Sequence, residues 1–188
     1  MSSWRVCIVY LLLPATVSAA EMRSVEVDYK DGIYTLESEV FFDAAREPVF
    51  DIFLDWDLAV DFSSIIIESR NVGPDAQGDM GYFIHNRGCI WFYCVNVLRN
   101  GSVTAEQHTL IRAIADPANS DFEISDETWT FMDEGAGTLV RYELTMKPSF
   151  WIPPLIGPWV MKRKLRDDGG GAIDRIERIA QQRAVRDE

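Results

Sequence analysis

Histidine, cysteine and paired carboxylates carry most side-chain chemistry, and this sequence offers few of them. His85 and His108 are its two histidines. No G-x-S-x-G, H-E-x-x-H or glycine-rich phosphate loop accompanies them, so both read as strand-face or surface residues rather than catalysts. Asp55, Asp57 and Asp61 stand close together. On a helix they form a solvated face and N-terminal charge, so no metal site is expected there. Arg112 and Arg141 interrupt apolar, β-branched runs. A guanidinium in such a run either points outward or holds the polar head of a ligand. Cys89 and Cys94 are five residues apart, which is not the spacing of a redox C-x-x-C pair. In one continuous strand they would face opposite sides roughly 16 Å apart. A disulfide needs Cα atoms within about 7 Å, so a bridge requires Ile90-Trp91-Phe92-Tyr93 to form a tight loop or a broad bulge. An oxidising compartment favours that bridge over two free thiols.

The compartment is suggested by the first segment. Arg5 precedes the apolar run Val6 to Leu13, Pro14 breaks it, and Val17-Ser18-Ala19-Ala20 supplies small residues for cleavage. The run is far shorter than the roughly 20 residues of a spanning helix. Residues 1–20 are therefore expected to be a signal peptide and residues 21–188 the domain, with export to the periplasm or beyond. The chain has 188 residues, 47% of them hydrophobic and 26% charged, enough for one domain with a real core. Its formal net charge of -12 repels phosphate backbones, so no nucleic-acid partner is expected.

The elements that position these side chains read as strands with a helix near each end. Lys30-Asp31-Gly32 lies between two strand-like runs in Arg23 to Phe42, the sequence signal of a tight hairpin. Val49, Phe50, Phe53, Leu54 and Leu58 recur at helical spacing, so Glu47 to about Phe62 is one helix or two short ones. Strands are expected over Ile65–Val72, Met80–Arg87, Ile90–Leu98, Val103–Ile114, Phe122–Met132 and Leu139–Met146. Turns are expected at Gly73-Pro74-Asp75, Asn100-Gly101, Asp116 to Asn119 and Asp133 to Gly137. Strands so closely spaced form an antiparallel meander. Val160 to Arg183 carries an apolar helical stripe that Gly169-Gly170-Gly171 interrupts. Three glycines cost a helix about 1 kcal/mol each, so a kink, a break or a close approach to backbone or ligand is expected there.

This order, with EPVFDIFLDWDLAVDF in the opening helices, IIIESRNVGPDAQGDMGYF in the next strands and DETWTFMDEGAGTLVRYELTMKP in the final hairpin, resembles the START-like superfamily. That superfamily comprises the polyketide cyclase/dehydrase and lipid-transport proteins. Within it the sequence is most similar to bacterial relatives of the coenzyme Q-binding START-domain family. The resemblance implies an α+β helix-grip fold, a curved antiparallel sheet wrapped around a long C-terminal helix with short helices near the start. It also implies a cavity between sheet and helix for an apolar ligand, and no cofactor.

Alternation along the strands gives the candidate lining. Val140, Tyr142, Leu144 and Met146 share one face of the last strand, Trp129 and Phe131 one face of the strand before it, and Met80, Tyr82 and Ile84 one face of an earlier strand. The expected ligand-binding residues are Tyr82, Ile84, Arg112, Trp129, Phe131, Arg141, Tyr142, Leu144 and Trp159. These rings either fill a core or line a cavity. The function expected is carriage of a lipid, isoprenoid or quinone-like molecule. The alternatives are a cyclase/dehydrase-type enzyme on the same fold and a protein-interaction module with a filled core. Ionisable side chains meeting in the interior would favour the enzyme. Trp151, Ile152, Leu155 and Ile156 form an apolar, proline-broken segment just ahead of Lys162, Arg163, Lys164 and Arg166. Residues 21–161 hold 9 basic and 24 acidic side chains, residues 162–188 hold 8 and 6. The segment reads as a gate that is either a lid on the core or a transient contact with an anionic membrane surface.

Overall fold

The computed structural model describes residues 20–74, 78, 80–90, 93–152 and 157–186. Residues 1–19 of the expected signal peptide, with Leu155 and Ile156 of the gate, lie outside them; Ala20 packs against the core. Asp31 and Gly32 both adopt positive φ, 53° and 85°. That is the type I′ turn an Asp-Gly pair favours, and it joins β1 (Glu21–Lys30) to β2 (Ile33–Phe42). The expected helical stretch is two short helices, α1 (Arg46–Leu54) and α2 (Ala59–Phe62), with a 3-10 turn (Trp56–Leu58) between them. Asp55 ends α1 in an extended conformation, and its side chain accepts from Asp57 N. Six strands follow: β3 (Ile66–Val72), β4 (Met80–Ile90), β5 (Tyr93–Glu106), β6 (Leu110–Ala115), β7 (Phe122–Glu134) and β8 (Gly137–Pro148). They form the expected meander, and β8 returns to pair with β2. The result is one antiparallel sheet in the order β1-β2-β8-β7-β6-β5-β4-β3.

Two turns differ from the sequence reading. Asn100-Gly101 is no turn: β5 runs straight through it and turns only at residues 107–109. Gly101 is needed there for a different reason. A Cβ on it would run into the carbonyl oxygen of Ile114 and lie 2.7 Å from the Cα of Ala115, so glycine lets β6 approach β5 closely. The true reversal lies between Ile90 and Tyr93, which pair with each other. No Gly, Asn, Asp or Pro marks it. Cys89 and Cys94 therefore sit in register on two strands rather than far apart on one, and Cys94 is disulfide-bonded.

α3 (Gly157–Arg186) is one unbroken helix, so the three glycines make no break. A Cβ on Gly170 would meet nothing within 4 Å, so glycine at that position is not required by a neighbouring backbone. Ile173, Ile176 and Ala180 of α3 join one core with Val49, Phe50 and Ile52 of α1 and with Tyr82, Ile84, Phe131 and Val140 of the sheet. Polar contacts fix the helix to the connection ahead of α1 and to α2. Gln181 donates to Asp43 O, Asp43 N donates to Glu177, and Arg175 donates to Phe62 O.

Candidate ligand-binding site

Alternation decides which side chains face the helices. On β7 the inward set is Ser125, Glu127, Trp129 and Phe131, of which Ser125, Glu127 and Phe131 are buried. On β4 it includes Tyr82 and Ile84, both buried, and on β8 it includes Val140, Tyr142 and Leu144. On β5 it is Arg99, Gly101 and Val103. Arg99 pairs in the ladder with Ile84, and Gly101 with Tyr82.

A charged pair therefore sits on an otherwise apolar face. Arg99 Nη1 donates to Glu127 Oε1, with Glu127 3% exposed. The two residues come from strands separated by β6, whose Ala113 pairs with Glu127 and whose Ala115 pairs with Gly101, two residues on from Arg99. Those small side chains leave the guanidinium room to cross. The Tyr142 hydroxyl donates to Glu127 Oε2 over 2.6 Å. Both carboxylate oxygens are thus occupied by donors, as a buried charge requires.

Rings tie this cluster together. Trp129 stacks on Tyr142, with centroids 5.0 Å apart and planes 22° apart. Trp56 stacks on Tyr82 at 4.5 Å and meets Trp129 edge-on at 5.8 Å. The turn carrying Trp56 is held to β3 by Asn71. Asn71 accepts from Trp56 N and donates from its side chain to Asp55 and Asp57. Those carboxylates thus serve a turn, as structural caps.

Burial pushes the Tyr142 hydroxyl well above its ordinary pKa, and the Glu127 charge pushes it further. Tyr82 is raised for the same two reasons, burial first. Burial alone would lower the Arg99 guanidinium, but Glu127 and the two tyrosines outweigh it and hold the group charged. On β4, β5 and β7 three donors have no hydrogen-bond partner among the described residues, Arg99 Nε, the Tyr82 hydroxyl and the Ser125 hydroxyl, and Trp56 Nε1, on the ring stacked over Tyr82, has none either.

The candidates from sequence separate into three groups. Tyr82, Ile84, Trp129, Phe131, Tyr142 and Leu144 come together on the inner face. Arg112 and Arg141 do not reach it. They lie on the outer face as ion pairs, Arg112 with Asp126 at 2.6 Å and Arg141 with Glu39 at 2.7 Å, because their neighbours Ile111 and Val140 take the inward positions. Trp159 stands at the surface, 61% exposed, with Arg163 over its ring. It is on the first turn of α3, away from Trp129 and Tyr142. Of the gate residues, Trp151 is 80% exposed, while Ile152 is half-buried against Gly157.

Arg99 and Glu127 are the residues the sequence reading missed. Glu127 alternates with Trp129 and Phe131, which places it on the inward face by that criterion alone. Arg99 was hidden by the turn expected at Asn100-Gly101, which put it at the end of a strand rather than in the middle of one.

No described protein family and no curated protein matches the sequence. Solved structures do resemble the fold. A STAR-related lipid transfer protein from Xanthomonas axonopodis superposes with a TM-score of 0.64 at 12% identity, covering 85% of this chain and 99% of that one. The Zhui aromatase/cyclase from Streptomyces sp. R1128 gives 0.59 at 10% identity, over 81% and 96%. A START superfamily protein from Mycobacterium smegmatis gives 0.57 at 14% identity, over 76% and 98%. The curved eight-stranded antiparallel sheet and its C-terminal helix are those of the START-like helix-grip fold.

Proposed function

We propose that the protein is an exported carrier that holds an apolar molecule between the sheet and α3, with an oxygen of that molecule facing Arg99, Tyr82 and Ser125. The observation that carries this reading is the set of three buried donors on β4, β5 and β7 without partners among the described residues. A buried polar group without a partner costs about 1–3 kcal/mol. A ligand oxygen arriving there recovers that cost and gains orientation, while the surrounding rings supply apolar contact. The Arg99–Glu127 pair has no net charge, so a neutral acceptor such as a carbonyl, ester or quinone oxygen suits it better than a carboxylate. The lipid transfer protein and the aromatase/cyclase that share the fold support an apolar ligand without naming one. The test is titration with long-chain ketones, isoprenoid quinones and phospholipids, followed by the fluorescence of Trp129 and Trp56. Saturable change with at least one class is expected in the parent protein. It is lost in an Arg99→Met/Glu127→Leu double variant that still melts cooperatively. A spectrum unmoved by every class would point to a filled core.

One observation favours a second reading, a cyclase-type enzyme: ionisable groups do meet in the interior. Their chemistry argues against it. Glu127 has both oxygens engaged, Tyr142 is a weak acid at its raised pKa, and a guanidinium does not exchange protons near neutrality. The cluster is built to hold rather than to transfer protons.

The carrier reading includes a transient contact with an anionic membrane. Trp151 and Trp159 are both largely exposed, and Lys162 and Arg163 follow within one helical turn, on a chain that is otherwise acidic. Exposed tryptophans beside basic residues suit a lipid interface. Co-sedimentation with phosphatidylglycerol vesicles should weaken with salt and fall on Trp151→Ser with Trp159→Ser. Salt-independent sedimentation would leave these residues without that role. Export predicts a mature N-terminus at Ala20 or Glu21, which an intact mass of the natively produced protein reads directly.

A further inference from the structure

The polar cluster is not the only place on the inner face where a buried hydroxyl lacks a partner. Tyr34 is 2% exposed, and its hydroxyl has no hydrogen-bond partner among the described residues. It lies over the first turn of α3, where a Cβ on Gly157 would come within 2.6 Å of it. Glycine at that position is what lets the phenol reach the helix end. The ladder then links Tyr34 to the cluster. Tyr34 pairs with Met146, Met146 pairs with Ser125, and Gly101 pairs with both Ala115 and Tyr82. Ala115 follows Ile114, which pairs with Asp126, the neighbour of Ser125. Tyr34, Met146, Ser125, Ala115, Gly101 and Tyr82 thus form one inward row across the sheet. All three of its hydroxyls lack partners among the described residues. Between them stand the two smallest residues and a flexible methionine.

We propose that the Tyr34 hydroxyl and the first turn of α3 form a second polar subsite, which takes the anionic head group of an amphiphile whose chain runs along this row. The inference rests on the reading above that the inner face holds an apolar ligand. Its chemistry differs from that of the Arg99 cluster. The N–H groups of a helix's first turn have no partner within the helix, and they carry the positive end of its dipole. Pro158 has no N–H, which leaves those of Gly157, Trp159 and Val160, and a phenolic donor beside Gly157 makes with them a site for negative oxygen. Lys162 and Arg163 lie in the second turn of α3 and add to the positive field. The deep end, with its internally neutralised ion pair, takes a neutral oxygen, while this end, beside exposed Trp151 and Trp159, takes the charge.

The test compares oleate with oleyl alcohol, which share a chain and differ in head group, by equilibrium titration at pH 8. The parent protein should bind oleate about tenfold more tightly than the alcohol, the scale of one charge-assisted hydrogen bond. Tyr34→Phe keeps the ring, removes only an unpartnered hydroxyl, and should melt at least as high as the parent. It should lose most of the preference for oleate while its affinity for the alcohol is unchanged. Gly157→Ala, which pushes the phenol off the helix end, should lose the same preference. The Arg99→Met/Glu127→Leu variant should weaken the alcohol, whose neutral oxygen that cluster takes, more than oleate, whose apolar tail faces it. Equal affinities in the parent, or a Tyr34→Phe variant that weakens both probes equally, overturn the subsite and leave the carrier reading standing. Failure of the parent to bind either probe overturns both.

Discussion

Asp126 and Glu127 are consecutive residues on β7, and each pairs with an arginine. Asp126 points outward and meets Arg112 across the β6 ladder, in a pair exposed to water. Glu127 points inward and meets Arg99 across the alanines of β6, in a pair almost wholly buried. The two pairs have the same chemistry and lie one residue apart, yet they differ in consequence. The outer pair exchanges hydration for contact in a medium that screens it, and contributes little. The inner pair has been taken from water altogether, so each member is a liability without the other. Two apolar residues of the same volume would pack there with little or no loss, so stability does not account for the inner pair.

The largest effect that separates the pairs is expected from Glu127→Ala. It leaves the Arg99 charge buried and should cost about 3–5 kcal/mol of unfolding free energy by denaturant titration. Replacing both partners, Arg99→Met with Glu127→Leu, should restore stability to near the parent value or above while ligand affinity is lost. A double variant as unstable as the single one would mean that the pair holds the fold together after all. A smaller loss is expected from Tyr142→Phe, which takes one donor from Glu127 Oε2 and should cost about 1–3 kcal/mol.

Alkaline pH sharpens the contrast further. Tyr82 and Tyr142 both have folded pKa values raised above the ordinary tyrosine range, first by burial and then by the Glu127 charge. Their contribution to stability is complete below the unfolded value of about 10, and is lost as pH rises towards the folded values. Phenolate absorbance should therefore show a fraction of the tyrosines that ionises only as the protein unfolds, and Tyr142→Phe should reduce that fraction. Free titration of every tyrosine in the folded state would contradict the burial. The smallest effect is expected outside. Arg112→Ala should leave the melting temperature within error at physiological salt.

The inner and outer faces also mark what was legible in the sequence. Strand alternation placed Tyr82, Ile84, Trp129, Phe131, Tyr142 and Leu144 on the inner face, because period 2 is a local property. The I′ turn at Asp31-Gly32 and the hairpin at Gly135 were legible for the same reason: their residues encode their own φ. Gly101 was misread because glycine serves both turns and close strand approach, and only the position of β6 distinguishes the two. That single error moved two strand boundaries and concealed Arg99. The reversal between Ile90 and Tyr93 was illegible because its residues are strand formers. Cross-strand pairing, and the register of Cys89 with Cys94, override their local preference. Arg112 and Arg141 were chosen because a charge in an apolar run attracts notice, but the run says nothing of which face the charge takes. Their neighbours' burial does.

The central claim is that the inner polar cluster exists to hold a ligand, and native mass spectrometry of protein isolated from its own host tests it most directly. The parent protein should carry a discrete adduct whose extracted mass is that of an oxygen-bearing apolar molecule. The same preparation of the Arg99→Met/Glu127→Leu variant, folded and equally abundant, should carry none. An adduct retained by that variant, or a parent protein that is always bare, would contradict the account.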